Sequence, residues 1–224
     1  MDTITLIITL ITIASFILAI LYLQFTSQGR ELRHNIKIYF QKFLRRYPSI
    51  EKFCESYKDI SWQEYIENAD EKIDIVVYYL DSWIRYNFES LKKFFGKSNT
   101  KVRLFLSNPN TKENIENLRR VFPEYEEEYL RLKVKNTREK IAGAAEAVGA
   151  SPKRVELYYY PYYLNYSAIC FDDKILILSF FEFNRIKEIN SPAIIINLKK
   201  SPKIKKFWEK ELEKLISLSN RNKI

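Results

Sequence analysis

Asn165 to Glu182 reads NYSAICFDDKILILSFFE. An apolar run, YSAICF, stops at Asp172-Asp173, and a second, ILILSFFEF, begins after Lys174. Aspartate favours tight turns because its carboxylate can bond nearby backbone and because it tolerates a left-handed conformation. The stretch therefore predicts a hairpin of two strands joined at an acidic corner, with a serine, Ser179, late in the second strand.

The flanks extend that pattern. RVELYYYP before the hairpin and AIIINLK after it read as strands, and SPKIKKFWEKELEKLISLSN reads as a closing amphipathic helix opened by Ser201-Pro202. Upstream, WQEYIENADEK predicts a helix and IDIVVYYL (Ile73 to Leu80) a strand. SWIRYNFESLKKFFGKS then predicts a helix, and VRLFLSNP (Val102 to Pro109) a strand closed by turn residues. Two successive strand-helix units imply a parallel pair with a crossover helix.

Between Thr111 and Ser151 the chain is highly charged and predicts two helices broken at Pro123. The small residues from Ala142 to Ala150 predict a face for close helix packing. Gly143 and Gly149 lack the spacing and the preceding strand of a phosphate-binding loop. The expected architecture is α/β, a mixed β-sheet flanked by helices, in one domain over residues 48–224.

The N-terminus differs in kind. ITLIITLITIASFILAILYLQF, Ile4 to Phe25, carries no charge, and as a helix its roughly 22 residues reach about 33 Å against a hydrocarbon core of about 30 Å. Residues 1–28 are expected to form a single transmembrane signal-anchor, too long and lacking the basic leader of a cleaved signal peptide. Arg30, Arg33, Lys37, Lys42, Arg45 and Arg46 follow, with Glu31 the one acid among them, which places the N-terminus outside and the domain in the cytoplasm. Residues 29–47 carry Leu32, Ile36, Tyr39, Phe40, Phe43 and Tyr47 at helical spacing. This basic amphipathic stem has three readings: it lies on anionic lipid, pairs with another copy, or packs on the domain.

Hydrophobic content of 46% with 15% aromatics excludes disorder for most of the chain. The formal charge of +9 points to phosphate-bearing partners, nucleic acid or an anionic membrane. Cys54 and Cys170, without paired spacing, suit a reducing compartment and suggest neither a disulfide nor a zinc site; no metal or cofactor is expected. His34 is the single histidine.

In order of elements the chain resembles half of a phospholipase D-like domain. WQEYIENADEKIDIVVYYLDSW is similar to the family's opening helix and strand, and VRLFLSNP to its second strand. YSAICFDDKILILSFFEFNR is similar to the hairpin that carries the signature HxKxxxxD and a following Gly-Ser or similar pair. With Asp173 as the signature aspartate, the histidine and lysine positions fall on Tyr166 and Ala168; with Asp172 they fall on Asn165 and Ser167. Neither register restores the signature. Ser179 lies near the hydroxyl position that helps hold phosphate, and Glu182 where the family often has a polar residue.

The family's chemistry, as the resemblance implies it, needs one histidine to attack phosphorus, a second to protonate the leaving group, and lysines to neutralise the phosphoryl oxygens. Half-length members assemble this from two copies, so the resemblance also implies a homodimer, but pairing two copies of this hairpin supplies no histidine. Tyr166, Asp173 and Ser179 are the remaining catalytic candidates. A tyrosine titrating near 10 would need strong cationic activation, and Cys170 sits among apolar neighbours where a thiol is usually inert.

Binding is the stronger expectation. Tyr158 to Tyr166, YYYPYYLNY, sets six tyrosines around Pro161. Tyr160 and Tyr163 could stack bases while Arg154, Lys174, Arg185 and Lys187 meet phosphates, with Glu182 a further ligand-binding candidate. The plainer alternative is alternating strand tyrosines, half in the core and half on the surface or in a dimer interface. The expected function is thus a membrane-anchored, catalytically inactive phospholipase D-like protein. It would bind an anionic lipid, a nucleic acid or nucleotide, or a protein partner. The alternatives are a dimeric membrane-bound phosphodiesterase with a non-standard site and a purely structural dimerisation module.

Overall fold

Ile73, Ile75 and Val77 alternate with Asp74 and Val76 along β2 (Lys72–Val77), so both faces of this strand are buried in a sheet covered on two sides. The computed structural model describes residues 49–161, 164, 166–180 and 191–221, which belong to one compact unit beginning at Ser49. The expected membrane span and stem, His34, Tyr163, Asn165, Glu182, Arg185 and Lys187 lie outside the described residues. Among those described, no helix is long and apolar enough to cross a membrane.

The elements in chain order are β1 (Ile50–Cys54), α1 (Trp62–Asn68), β2, α2 (Asp81–Gly96), β3 (Lys101–Ser107), α3 (Lys112–Val121) and α4 (Glu127–Glu146). They continue as β4 (Val155–Tyr160), β5 (Tyr166–Phe171), β6 (Ile175–Phe180), β7 (Ala193–Asn197) and α5 (Pro202–Arg221). The seven strands form one mixed sheet in the order β1-β7-β6-β5-β2-β3-β4. β2, β3 and β4 are parallel, with Ile73 opposite Val102 and Val102 opposite Val155. The other half, β5-β6-β7-β1, is antiparallel throughout. The two halves meet where β2 pairs antiparallel with β5.

One face of the sheet, with Ile75, Leu104, Ile169 and Ile177, packs against α1 to α4 through Trp62, Ile66, Leu91, Phe94, Leu118 and Val134 in a single hydrophobic cluster. In α2 the buried residues Trp83, Ile84, Asn87, Leu91, Phe94 and Phe95 recur at helical spacing, which fixes the face it turns to the sheet. α5 covers the other face with Trp208, Leu212 and Leu215 and packs on β4. On that face Asp74 is 0% exposed and holds Arg103 in a two-pronged ion pair, Nε to Oδ1 at 2.5 Å and Nη2 to Oδ2 at 2.7 Å.

Three details depart from the sequence expectation. The strand expected over Ile73 to Leu80 ends at Val77, and Tyr78 to Leu80 leave the sheet to start α2. β1 was not expected; it pairs with β7 with a shift in register between Ile50 and Lys52. The run from Ala142 to Ala150 is not a packing face along its length. Ala142, Ala144 and Ala145 are buried, but nothing lies within 4 Å of where a Cβ on Gly143 would stand. Gly149, at φ 74, ends α4: the next N–H, that of Ala150, returns to the Ala145 carbonyl at 2.9 Å, a terminus that favours glycine.

Candidate functional site

Ligands on α/β sheets settle where strands end and the chain turns into helices, above all where strand order changes direction. Here that place is the carboxyl end of β2, between its parallel neighbour β3 and its antiparallel neighbour β5. A cleft of about 810 Å³ opens there, lined by the chain around Tyr57 to Gln63, by the β2-α2 junction from Val77 to Asn87, and by Phe122, Tyr125 and Lys133. Its serines are Ser61, Ser82, Ser167, Ser179 and Ser191.

Ser167 on β5 and Ser179 on β6 stand directly opposite each other in the hairpin register, and both are buried. The alternation of β5 puts Ser167 on the same face as Ile169 and Phe171, beneath the α1–α4 layer. Residues 166, 168 and 170 take the opposite face.

α2 begins at this cleft without a side-chain cap. The first N–H groups of an uncapped helix lack intrahelical partners and carry the positive end of its dipole. Asp81, first in the helix, would oppose an anion, but two cations hold it: Lys133 Nζ at 2.7 Å from one oxygen and Lys140 on the other. Hydrogen bonds from these two lysines hold the Asp81 carboxyl below its usual range. Burial pulls the Lys133 ammonium down, yet its bonds to Asp81 and Tyr129 outweigh this and leave it raised. Lys133 Nζ also lies 5.5, 5.7 and 4.8 Å from the ring centres of Tyr79, Tyr125 and Tyr129, within cation–π range.

The aromatic wall continues through Trp62, whose indole donates to the Tyr57 carbonyl at 3.1 Å and meets Trp83 edge-on at 5.8 Å. Trp83 is 5% exposed, and its indole N–H has no hydrogen-bond partner among the described residues. A buried unpaired donor is costly and rare; this one belongs to a residue that lines the cleft. Tyr86, 71% exposed, stands at the rim. Among the described residues no group of histidine, cysteine, aspartate or glutamate could hold a metal ion.

The residues expected from sequence are placed apart from one another. Ser179 lines the cleft. Asp173 lies at the far end of the hairpin, about 20 Å from Ser167 by strand length, where it pairs with Lys72 at 2.7 Å. Lys174 is at the same corner, its ammonium 2.9 Å from Asp172. Arg154 donates to the carbonyls of Phe95 and Lys97 at 3.1 Å each, tying the end of α2 to β4.

Of the described tyrosines of Tyr158 to Tyr166, Tyr159 packs against the α1–α4 cluster, and alternation puts Tyr158, Tyr160 and Tyr166 on the other face. Tyr158 stacks on Phe105 at 4.9 Å, and the buried Tyr160 donates its hydroxyl to the Val77 carbonyl at 3.2 Å. Tyr166 faces α5, where burial and the nearby Glu211 carboxylate push its hydroxyl up to about 12. Burial raises the Cys170 thiol still further, the wrong direction for a nucleophile.

Sequence reasoning missed the lining from Tyr57 to Gln63 and from Tyr78 to Asn87. The available signal was Leu80-Asp81-Ser82-Trp83, a strand-to-helix junction after a parallel strand.

No family model matches the sequence, and no curated protein matches it. Solved structures with a similar outline include the archaeal chromatin protein TrmBL2, whose structure is described as showing a novel mode of DNA binding. It is 12% identical with a TM-score of 0.42, over 84% of this chain and 63% of that one. Nuc, a phospholipase D family member from Salmonella typhimurium, is 10% identical with a TM-score of 0.45, over 75% of this chain and 93% of that one. Phosphatidylserine synthase from Haemophilus influenzae is 11% identical with a TM-score of 0.41, over 72% of this chain and 36% of that one.

Proposed function

We propose that this chain is a membrane-anchored protein whose cytoplasmic, phospholipase D-like domain binds a phosphate-bearing ligand in the cleft at the carboxyl end of β2 without cleaving it. The observation that carries the reading is the pair Ser167 and Ser179, opposite one another on the hairpin and lining the same cleft as the uncapped start of α2. Hydroxyls and free helix N–H groups are the neutral donors that hold phosphate oxygens. Lys133 and Lys140 together outweigh the single charge of Asp81.

Of the two registers of the resemblance, the one set by Asp172 puts its lysine position on Ser167, within the cleft; the one set by Asp173 puts its histidine position on Tyr166, against α5. A serine pair can hold a phosphoryl group, but attack on phosphorus and protonation of the leaving group need a base and an acid. The chain's one histidine is His34, beside the apolar segment. The cleft is within the size of small-molecule sites, about 300 to 1,000 Å³. Its tyrosines and tryptophans suit a planar ring attached to the phosphate. Self-association through the same face, as the resemblance implies, is part of the proposal.

The test is calorimetric titration of the full chain with inorganic phosphate, nucleoside monophosphates, a short single-stranded oligonucleotide and glycerol 3-phosphate, at rising salt, beside a turnover assay with bis(p-nitrophenyl) phosphate. Salt-sensitive binding of at least one phosphate compound, weakened in the S167A/S179A variant and without turnover, supports it. Turnover lost in that variant, or no binding of any phosphate compound, rejects it.

A further inference from the structure

α5 offers a second surface, independent of the cleft. Its buried side, Trp208, Leu212 and Leu215, is spent on the sheet. Its outer side carries Lys206, Lys210 and Lys214 at successive four-residue intervals, and Lys199 lies just before the helix; all four are exposed, and none forms an ion pair among the described residues. Lys203 continues the stripe. Phe207, 50% exposed, sits among them. The acids of the helix are Glu209, 3.8 Å from Lys205, Glu211 and Glu213, against Lys203, Lys205, Lys206, Lys210 and Lys214, so it keeps a positive balance.

We infer that the outer face of α5 docks on an anionic lipid surface, its lysines at the headgroups and Phe207 entering the interface. Three observations favour lipid over other polyanions. An apolar ring amid lysines is the pattern of interfacial helices, which gain from both burial and charge. The helix is already folded and held by Trp208, Leu212 and Leu215, so docking pays no cost of ordering. Finally, the apolar segment Ile4 to Phe25 is separated from the domain by residues 26–48 alone, at most about 80 Å of extended chain. On the anchor reading proposed above, on which this last point rests, a domain so tethered meets the bilayer at high effective concentration.

The chain provides a clean probe. Cys54 and Cys170 are both buried, so a nitroxide on Ser217→Cys, exposed on the lysine side, labels selectively. The labelled full chain is read by power saturation with oxygen and a nickel chelate, in nanodiscs of phosphatidylcholine and of 7:3 phosphatidylcholine to phosphatidylserine. The expected result is a label shielded from nickel in the anionic discs alone. The shielding should disappear at 0.5 M salt and in K206Q/K210Q/K214Q, whose docking weakens about a hundredfold at roughly a factor of five per lysine.

A label equally exposed in both discs overturns the inference. So does shielding that survives the three substitutions, or shielding produced by a short RNA and not by anionic lipid. A chain that fails to enter neutral discs ends the anchor reading, yet α5 is still tested in the anionic ones. Loss of phosphate binding in the cleft leaves this outcome untouched.

Discussion

The Asp172 carboxylate, at the tip of the β5-β6 hairpin, accepts the backbone N–H of Lys72 at 2.9 Å, a contact made across one hundred residues of sequence. The same carboxylate accepts the N–H groups of Asp70 at 3.0 Å and Glu71 at 2.9 Å. Asp172 and Asp173 hold φ values of 52 and 53, a conformation that aspartate tolerates better than most residues. The acidic corner is thus the fastener between the hairpin and the start of β2. Asp172→Ala removes the acceptor of three N–H groups and strains the turn, and is expected to cost about 3 kcal/mol in urea unfolding. Asp172→Asn, which keeps the turn preference and one acceptor oxygen, is expected to cost about half as much.

The same carboxylate sets an acid limit. Burial raises its pKa, but the three backbone N–H groups and Lys174 overcome this and bring it from 3.8 to about 2. A folded value below the unfolded one means that the stabilisation is complete above about pH 4 and is lost as pH falls toward 2. Its size is about 2 kcal/mol. Unfolding free energies measured from pH 5 to pH 2.5 should fall more steeply in the natural chain than in Asp172→Asn.

Asp74 and Arg103 form a buried ion pair within the β2-β3 pair and beneath the α5 face. Arg103→Leu leaves a carboxylate with 0% exposure unpaired and is expected to cost about 3 to 5 kcal/mol. The double variant D74L/R103L replaces both charges with apolar groups and should recover most of that loss, because a buried pair repays little beyond its own desolvation. Thermal unfolding of the two single variants and the double one measures the coupling. A double variant as unstable as Arg103→Leu would mean that the pair supplies net stability.

Gly143 and Gly149 should respond in opposite ways. Gly143 lies inside α4 with open space around it, so Gly143→Ala is expected to stabilise by about 0.5 to 1 kcal/mol. Gly149 has equally open space but a φ of 74, so Gly149→Ala is expected to destabilise by about 1 kcal/mol. Chemical unfolding midpoints of the two variants are the measurement.

The strands and helices were legible where periodicity was local. YSAICF and ILILSF are bounded by turn residues, and Trp83, Leu91 and Phe94 recur at helical spacing, so neighbours in sequence announce the element. β1 was not legible because Glu51 and Lys52 interrupt Ile50, Phe53 and Cys54. Its strand state comes from pairing with β7. The cleft was illegible for a related reason: Tyr57, Trp83, Lys133 and Ser167 meet only when the sheet is assembled. The eye is drawn instead to the tyrosine run from Tyr158 and to Lys174. Strand alternation and the pairing of Lys174 with Asp172 spend the described members of that set on packing and on the corner.

Trp83 separates a structural cleft from a binding one. Its indole N–H has no partner among the described residues, so Trp83→Phe gives up no hydrogen bond to them and is expected to cost only about 1 kcal/mol for the lost ring volume. If the N–H awaits a ligand, the same substitution should weaken phosphate-ligand binding about ten- to a hundredfold, the worth of one hydrogen bond to a charged acceptor. Serine removal acts on the other side of the cleft: Ser167→Ala and Ser179→Ala should each lower affinity by a similar factor while shifting the unfolding midpoint little. Calorimetric titration and thermal unfolding of the three variants distinguish the cases. Affinity that falls while stability holds marks the cleft as a binding site. Affinity that stays constant in all three moves the ligand elsewhere, and leaves Ser167 and Ser179 as a polar seam within the hairpin.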